Sequence, residues 1–225
     1  MARKKQTRGN CAFCNREMTR GGISRHLASC PKRGEAIAAA QDGQPETLYH
    51  LVVRDAYQGD FWLHLEINGR STLHDLDYYL RGIWLECCGH MSQFSVGGWR
   101  GREISMTRTI ASVFAPDVEL THIYDFGSSS ETLIKAVGER KGRPLTDNPI
   151  YLMARNNMPD MVCDECDGIA GWYCADCLIE QGEWITVCEE HRTEHDHDEY
   201  GGTTPLINSP RLGMCGYDGP ADPPY

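Results

Sequence analysis

No run of apolar residues in this 225-residue chain approaches the roughly 20 needed to cross a bilayer as a helix, so the expectation is a soluble, cytoplasmic protein. Nor does an apolar stretch follow the basic start from Met1 to Arg8, and no secretory signal or oxidising compartment is implied. A glycine-rich phosphate loop, a Gly-x-Ser-x-Gly elbow and a carboxylate motif with metal spacing are all missing, which removes several common routes to catalysis. Each end also lacks charge of one sign. Residues 1–34 hold Glu17 as their only acid against nine bases, a net of +8. Residues 163–225 hold Arg192 and Arg211 as their only bases against fourteen acids, a net of −12 within an overall −10.

Cysteine, by contrast, is plentiful and grouped. Eight of the eleven cysteines and four of the nine histidines fall into two separated sets. The first reads Cys11-x2-Cys14-x11-His26-x3-Cys30, and the second joins Cys163, Cys166, Cys174, Cys177, Cys188, His191, His195 and His197. A Cys-x2-Cys pair makes a tight knuckle whose thiolates converge on one ion, and a pair such as His-x3-Cys from a turn of helix closes the tetrahedron. With no oxidising compartment implied and an odd cysteine count, zinc is favoured over disulfides. Both ends are too short and polar to bury cores of their own, so bound metal would enter their folding free energy directly. The expected complement is three zinc ions per chain, one amino-terminal and two carboxy-terminal.

Met18 and Ile23 sit inside the first set much as the apolar pair sits in a small zinc finger, and Ile23 to Leu27 would form a short helix presenting Arg20 and Arg25 outward. With Arg3, Lys4, Lys5 and Arg8 these make the basic end the candidate nucleic-acid contact, because an acidic tail is repelled by phosphates. A zinc-stapled knuckle for protein contact is an equal alternative.

From Gly34 to Pro45 the chain reads as a linker, with Glu35 to Gln41 able to extend a helix until Asp42-Gly43-Gln44-Pro45 breaks it. Beyond it, Leu48 to Val53 and Phe61 to Ile67 flank a turn at Gln58-Gly59-Asp60, the pattern of a strand pair. Leu73, Leu76, Leu80 and Ile83 then recur at helical spacing behind Ser71 or Thr72 as cap. Strands are expected at Met91 to Val96, Ile104 to Met106, Leu120 to Asp125 and Leu133 to Val137, with a helix at Thr109 to Phe114. The class is α+β: a mostly antiparallel sheet with one main helix, flanked by two small zinc modules. The boundaries are a finger at 1–34, a linker at 35–46, the α+β domain at 47–160 and an acidic module and tail at 161–225.

Tyr49 to Val53, the helix start Thr72-Leu73-His74-Asp75-Leu76, His90-Met91-Ser92-Gln93-Phe94 and Tyr124-Asp125-Phe126-Gly127 stand in the order found in the plasmid pRiA4b open-reading-frame-three-like family. Over residues 47–140 the chain resembles that family, also labelled as insertion-element passenger protein. The resemblance implies an α+β fold and a plasmid or mobile-element setting in a prokaryote. Where the family continues with Asp, any residue and Trp-Glu-His, this chain has Ser128-Ser129-Ser130-Glu131-Thr132, and only Glu131 matches.

The carboxy-terminal set is similar to B-box and related cross-brace modules, in which alternate ligand pairs share an ion. That similarity implies Cys163, Cys166, Cys188 and His191 on one zinc and Cys174, Cys177, His195 and His197 on the other. Asp196 or Cys215 could replace one of the last two histidines. Such modules serve as protein-contact surfaces.

Chemistry could also reside where Glu86, Cys87, Cys88 and His90 cluster, with His122 and Asp125 on a later strand. A Cys-His pair can be nucleophilic, and a Cys-His-Asp set can bind a metal. Against this, adjacent cysteines point apart, cysteines are often buried for packing alone, and the spacing supplies no third partner. The reading as a whole is a non-enzymatic zinc adaptor touching nucleic acid through its basic finger and a protein partner through its acidic module. The alternatives are an enzyme with a pocket around Cys88, His90 and Asp125, and a scaffold that binds protein only.

Overall fold

The computed structural model describes residues 6–40, 43–115, 117–195 and 198–225. In chain order the elements begin with strands β1 (Arg8–Cys11) and β2 (Glu17–Thr19) and helices α1 (Arg20–Leu27) and α2 (Pro31–Ala39). The middle of the chain contributes β3 (Glu46–Asp55), β4 (Trp62–Asn68), α3 (Leu73–Leu80), β5 (Ser92–Val96), β6 (Arg102–Ile104), α4 (Ile110–Val113), β7 (Glu119–Tyr124), β8 (Ser130–Gly142) and β9 (Ile150–Asn156). Three short strands close the list: β10 (Trp172–Cys174), β11 (Thr186–Val187) and β12 (Thr203–Pro205). No helix among the described residues is long and apolar enough to cross a membrane.

Strands β1 to β9 form one antiparallel sheet in the order β2-β1-β9-β4-β3-β8-β7-β5-β6, and β11-β10-β12 form a second, small one. The class is the α+β one expected. Its central hairpin, β3 with β4, pairs Leu48 opposite Asn68 through Arg54 opposite Trp62. The turn between them is held by one carboxylate: Asp55 Oδ1 accepts the backbone N–H groups of Tyr57, Gln58 and Gly59 at 3.1, 2.7 and 3.0 Å, and Oδ2 accepts Phe61 N–H at 3.0 Å. Helix α3 starts at a capping box, in which Thr72 Oγ1 accepts Asp75 N–H while Asp75 Oδ2 accepts Thr72 N–H at 2.7 Å. It continues through a wider helical turn, Arg81–Leu85. Leu73, Leu76, Leu80, Ile83 and Trp84 thereby pack on Leu51, Val53, Leu63, Leu65 and Ile67.

Two elements differ from expectation. The strand expected over Ile104 to Met106 is β6, ending at Ile104, because the Met106 carbonyl turns to accept His74 N–H at 2.9 Å. Helix α2 already starts at Pro31, ahead of the Glu35 to Gln41 stretch expected to extend a helix, and ends at Ala39.

Three strands gave no clear pattern. Strands β1, β2 and β9 carry the amino-terminal finger onto the sheet, with Gly9 paired to Asn156 and Cys11 to Ala154. A Cβ at Gly9 would lie 2.0 Å from the Arg155 carbonyl oxygen, so only glycine lets β1 approach β9 this closely.

That edge explains an otherwise odd strand. Along β4 the side chains alternate as they must: Leu63, Leu65 and Ile67 enter the α3 core, while Trp62, His64 and Glu66 point the other way yet are also buried. The finger and α2 cover them. Ile23 and Leu27 from α1 pack with Trp62 and Met153, and Arg33 from α2 reaches Glu66 at 2.9 Å.

The end of the chain returns to the α3 side. Ser209 Oγ donates to the Trp84 carbonyl at 2.6 Å, Asn156 Nδ2 donates to Asn208 Oδ1 at 2.8 Å, and Tyr225 rests on Tyr79 with ring centroids 5.5 Å apart.

Candidate metal centres

Among the described residues, four groups of cysteine and histidine place one donor atom from each residue within 4.8 Å of the others, and each group could hold a metal ion. The first is Cys11, Cys14, His26 and Cys30. Strands β1 and β2 present the knuckle, in which Cys11 N–H donates to the Arg16 carbonyl at 3.1 Å and Asn15 takes a left-handed φ of 56° to make the turn. Helix α1, capped by Thr19, supplies His26, whose Nε2 lies 3.2 Å from Cys14 Sγ. Cys30 precedes Pro31 at the start of α2.

In the carboxy-terminal module the donors interleave. Cys163, Cys166, Cys188 and His191 converge in one group, and Cys174, Cys177 and His195 in another. His191 Nδ1 lies 3.5 Å from Cys163 Sγ and 3.2 Å from Cys188 Sγ, and His195 Nε2 lies 3.1 Å from Cys177 Sγ. Backbone N–H groups turn onto the sulfurs, Gly168 onto Cys166 at 3.3 Å and Cys177 onto Cys174 at 3.4 Å. His197 and Asp196 lie outside the described residues, as do Arg3, Lys4 and Lys5. Around these donors the module is stiffened by Tyr173 stacked on Trp184 at 4.8 Å and by the Arg192 guanidinium over Trp172 at 4.5 Å.

Cys215 is not beside His195. It joins Cys87, Cys88 and His90 in a fourth group at the far end of α3 and the start of β5. Cys88 Sγ lies 3.0 Å from His90 Nε2, 3.5 Å from Cys87 Sγ and 3.8 Å from Cys215 Sγ, and His90 Nε2 lies 3.4 Å from Cys215 Sγ. The spacing along the chain supplied no third partner for Cys88 and His90, but the fold supplies two, because Asp125 Oδ2 also stands 3.5 Å from His90 Nε2. His122 is elsewhere, fully buried and 2.8 Å from Asp77 Oδ1. Glu131 is also apart, accepting from Trp99 Nε1 at 3.0 Å and Tyr57 OH at 3.2 Å.

These contacts separate a metal site from a catalytic triad. A triad uses the two imidazole nitrogens for different partners, one for the nucleophile and one for the carboxylate. Here Cys88, Cys215 and Asp125 all face the same nitrogen, Nε2. Asp125 is moreover engaged by Arg211, whose Nη2 donates to Oδ2 at 2.7 Å. The Cys88 thiol is not activated either: hydrogen bonding to Cys87, burial and the Cys215 thiol push it up to about 12.

The same charge pattern recurs. Burial opposes ionisation of Cys87, but the Arg211 guanidinium, the Cys88 thiol and the Tyr124 hydroxyl outweigh it and lower its pKa. Burial likewise opposes ionisation of Cys163, yet backbone N–H groups and His191 bring it down to about 6, while against the Gly168 N–H, burial and then the Cys163 and Cys188 thiols raise Cys166. In the finger Cys30 is lowered, against burial, by the Arg33 backbone and the Cys14 thiol, whereas burial raises Cys11 to about 11. In each of these groups at least one thiol is lowered and another is raised, Cys188 being lowered along with Cys163, and a bound cation would let all of them ionise.

The basic residues are less free than their sequence suggests. Arg8 pairs with Glu17 at 2.8 Å, and Arg20 is half-buried rather than outward, lining a 420 Å³ pocket with Arg54, Tyr57 and Asp60. Helix packing turns it back, since α1 must face Ile23 and Leu27 to Trp62. Arg25 is exposed.

No family model matches this chain, and no curated protein does. Among solved structures it is similar to a protein of unknown function, MM3350, from Methanosarcina mazei Go1, at 16% identity over 48% of this chain and 67% of that one, with a TM-score of 0.40.

Proposed function

We propose that the protein is a non-enzymatic zinc adaptor whose amino-terminal end contacts nucleic acid and whose acidic module contacts a protein. The observation that carries this reading is the closed character of the donor groups. In the finger, four donors converge and Cys11 and Cys30 are buried; in the module, Cys163, Cys174 and Cys177 are buried. The four-donor sets, Cys11, Cys14, His26 and Cys30 and Cys163, Cys166, Cys188 and His191, would leave no position for a substrate or a reactive water, and the use of such a set is to hold a surface. Zinc is the ion that thiolate and imidazole in tetrahedral number select. On the sequence resemblance, the setting would be a plasmid or mobile element in a prokaryotic cytoplasm.

Nucleic-acid contact is supported by Arg25, which is exposed, and by the pocket that joins Arg20 and Arg54 beside Gln6 and Thr7. Protein contact is supported by Val162 and Ile169, bridged to one another in an acidic module and 60% and 76% exposed. The enzyme reading draws on the approach of Cys88, His90 and Asp125, but three partners on one nitrogen is a ligand arrangement rather than a relay.

Oligonucleotide binding tests the reading. Removing residues 1–34 would strip β1, β2 and α1 from the sheet, so charge is changed instead: Arg3→Ala, Lys4→Ala, Lys5→Ala and Arg25→Ala combined. The wild type should bind weakly, with log affinity falling against log salt by about 0.9 per phosphate contacted on a duplex. The variant should lose most of that slope. Equal binding by both proteins would refute contact through the basic amino-terminal end, and no binding by either would leave protein contact alone.

A further inference from the structure

Three features of the Cys87, Cys88, His90 and Cys215 group go beyond what a chance meeting of thiols produces. The first is its size. With zinc–sulfur bonds of about 2.3 Å and zinc–nitrogen bonds of about 2.0 Å, a tetrahedron has edges of about 3.8 Å between sulfurs and about 3.5 Å between sulfur and nitrogen. The Cys87–Cys88 and Cys88–Cys215 separations are 3.5 and 3.8 Å and the Cys215–His90 separation is 3.4 Å, while Cys88–His90 is tighter at 3.0 Å. A disulfide would bring one pair to about 2.05 Å and leave the third thiol and the imidazole without a purpose there.

The second feature is charge. Three thiolates around a divalent ion leave one negative charge, which a cation beside the partly buried Cys87 would offset. Arg211 is fully buried, and its Nη2 stands 3.4 Å from Cys87 Sγ. Its orientation is fixed from the other side by Asp125 Oδ2 at 2.7 Å, the Ser128 carbonyl at 2.9 Å and Ser130 Oγ at 3.0 Å. An arginine held by three partners so that one N–H meets a cysteine sulfur is a built feature of the site.

The third is the backbone of the distant ligand. Cys215 adopts a left-handed φ of 54°, a conformation costly for a residue with a Cβ, in a turn where Gly213 and Gly216 also have positive φ. The turn brings Sγ to the site from 127 positions along the chain from Cys88.

We propose that Cys87, Cys88, His90 and Cys215 bind a fourth zinc ion, and that this ion latches the end of the chain, around residues 209–217, onto the end of α3 and the start of β5. On binding, three S–H groups release their protons to solvent and the ion takes one sulfur pair from each cysteine and the Nε2 pair of His90. The latch is independent of the nucleic-acid reading. Its ligands come from two segments that no local module unites, so it couples the zinc-bearing end of the chain to the α+β sheet where the other three groups serve their own folds.

The test is metal analysis of anaerobically purified full-length protein, with mass-spectrometric alkylation of each cysteine. Wild type should hold four zinc ions per chain with Cys87, Cys88 and Cys215 protected from iodoacetamide. Cys215→Ser should lose one ion and no more, expose Cys87 and Cys88 to alkylation, and raise amide exchange over residues 209–217. His90→Cys, which keeps four donors, should retain four ions. Three ions in wild type with Cys88 and Cys215 freely alkylated would overturn the proposal, as would a Cys88–Cys215 disulfide in the anaerobic protein. If Cys215→Ser lost every ion through unfolding, the folded wild type would still decide the matter, since three ions there with Cys87, Cys88 and Cys215 open to alkylation would refute the site.

Discussion

Arg33 donates from Nη2 to Glu66 Oε2 at 2.9 Å and from Nη1 to the Leu27 carbonyl at 2.9 Å, so a single side chain of α2 both caps α1 and pins the finger to the central sheet. Glu66 is shared: Arg140 donates to it from Nε at 2.9 Å and from Nη2 at 2.5 Å. Removing the shared acceptor strands two buried cations, whereas removing Arg33 leaves one pair intact. Glu66→Ala should therefore lose about 3–5 kcal/mol of stability, and Arg33→Met about 1–2 kcal/mol. Urea unfolding of both variants checks this; equal losses would contradict the shared arrangement.

The covered face also holds a histidine pair, with His50 Nε2 2.8 Å from His64 Nδ1. Burial, then the Arg33 charge, lowers His50 to about 4 despite Glu66, and burial, then His50, lowers His64 to about 3. Both rings stay neutral in the folded protein while the unfolded chain protonates near pH 6.5. Their contribution to stability is thus complete above about pH 6.5 and is lost as pH falls through that value towards 4 and then 3. Imidazole proton resonances of His50 and His64 should stay flat from pH 8 to pH 5. A midpoint near 6.5 for either would show that the face is open to water.

Asp55 is the organiser of the β3–β4 turn, since four backbone N–H groups converge on its carboxylate. Asp55→Ala orphans all four and should cost on the order of 3 kcal/mol. Asp55→Asn, which keeps one acceptor oxygen, should cost less. Thermal melts of the two variants measure the difference, and a neutral Asp55→Ala would mean that the turn holds without it.

Metal removal should act on the ends first. Thiolate donors must lose protons to bind, so acid or a chelator should loosen the finger and the carboxy-terminal module while the α3 core persists. Trp62 reports on the finger because Ile23 and Leu27 cover it. Cys14→Ser should shift tryptophan emission to the red, and the shift should be absent when Trp62 is also replaced by Phe. Unchanged emission in Cys14→Ser would show that the finger packs without its ion.

Local patterns in the chain were sufficient for the α+β class, the β3–β4 hairpin and α3, because apolar alternation, helical spacing and a Thr-x-x-Asp cap act over a few residues. The Cys-x2-Cys knuckles are legible for the same reason. Contacts that join distant segments follow no such period. Nothing near Cys88 points to Cys215, because the turn that delivers that thiol depends on Arg211 finding Asp125 across the fold. Nothing near Gly9 announces a strand, because β1 exists only where β9 offers its edge and the missing Cβ permits the approach. Arg20 and Arg33 look like free positive charge in the sequence, yet one lines a pocket and the other neutralises Glu66, because the side of α1 and α2 that faces the sheet is set by Ile23 and Leu27 seeking Trp62. Composition determined that the two ends carry opposite charge and abundant metal donors; the packing of those ends against the sheet decided which charges remain exposed and which donors meet.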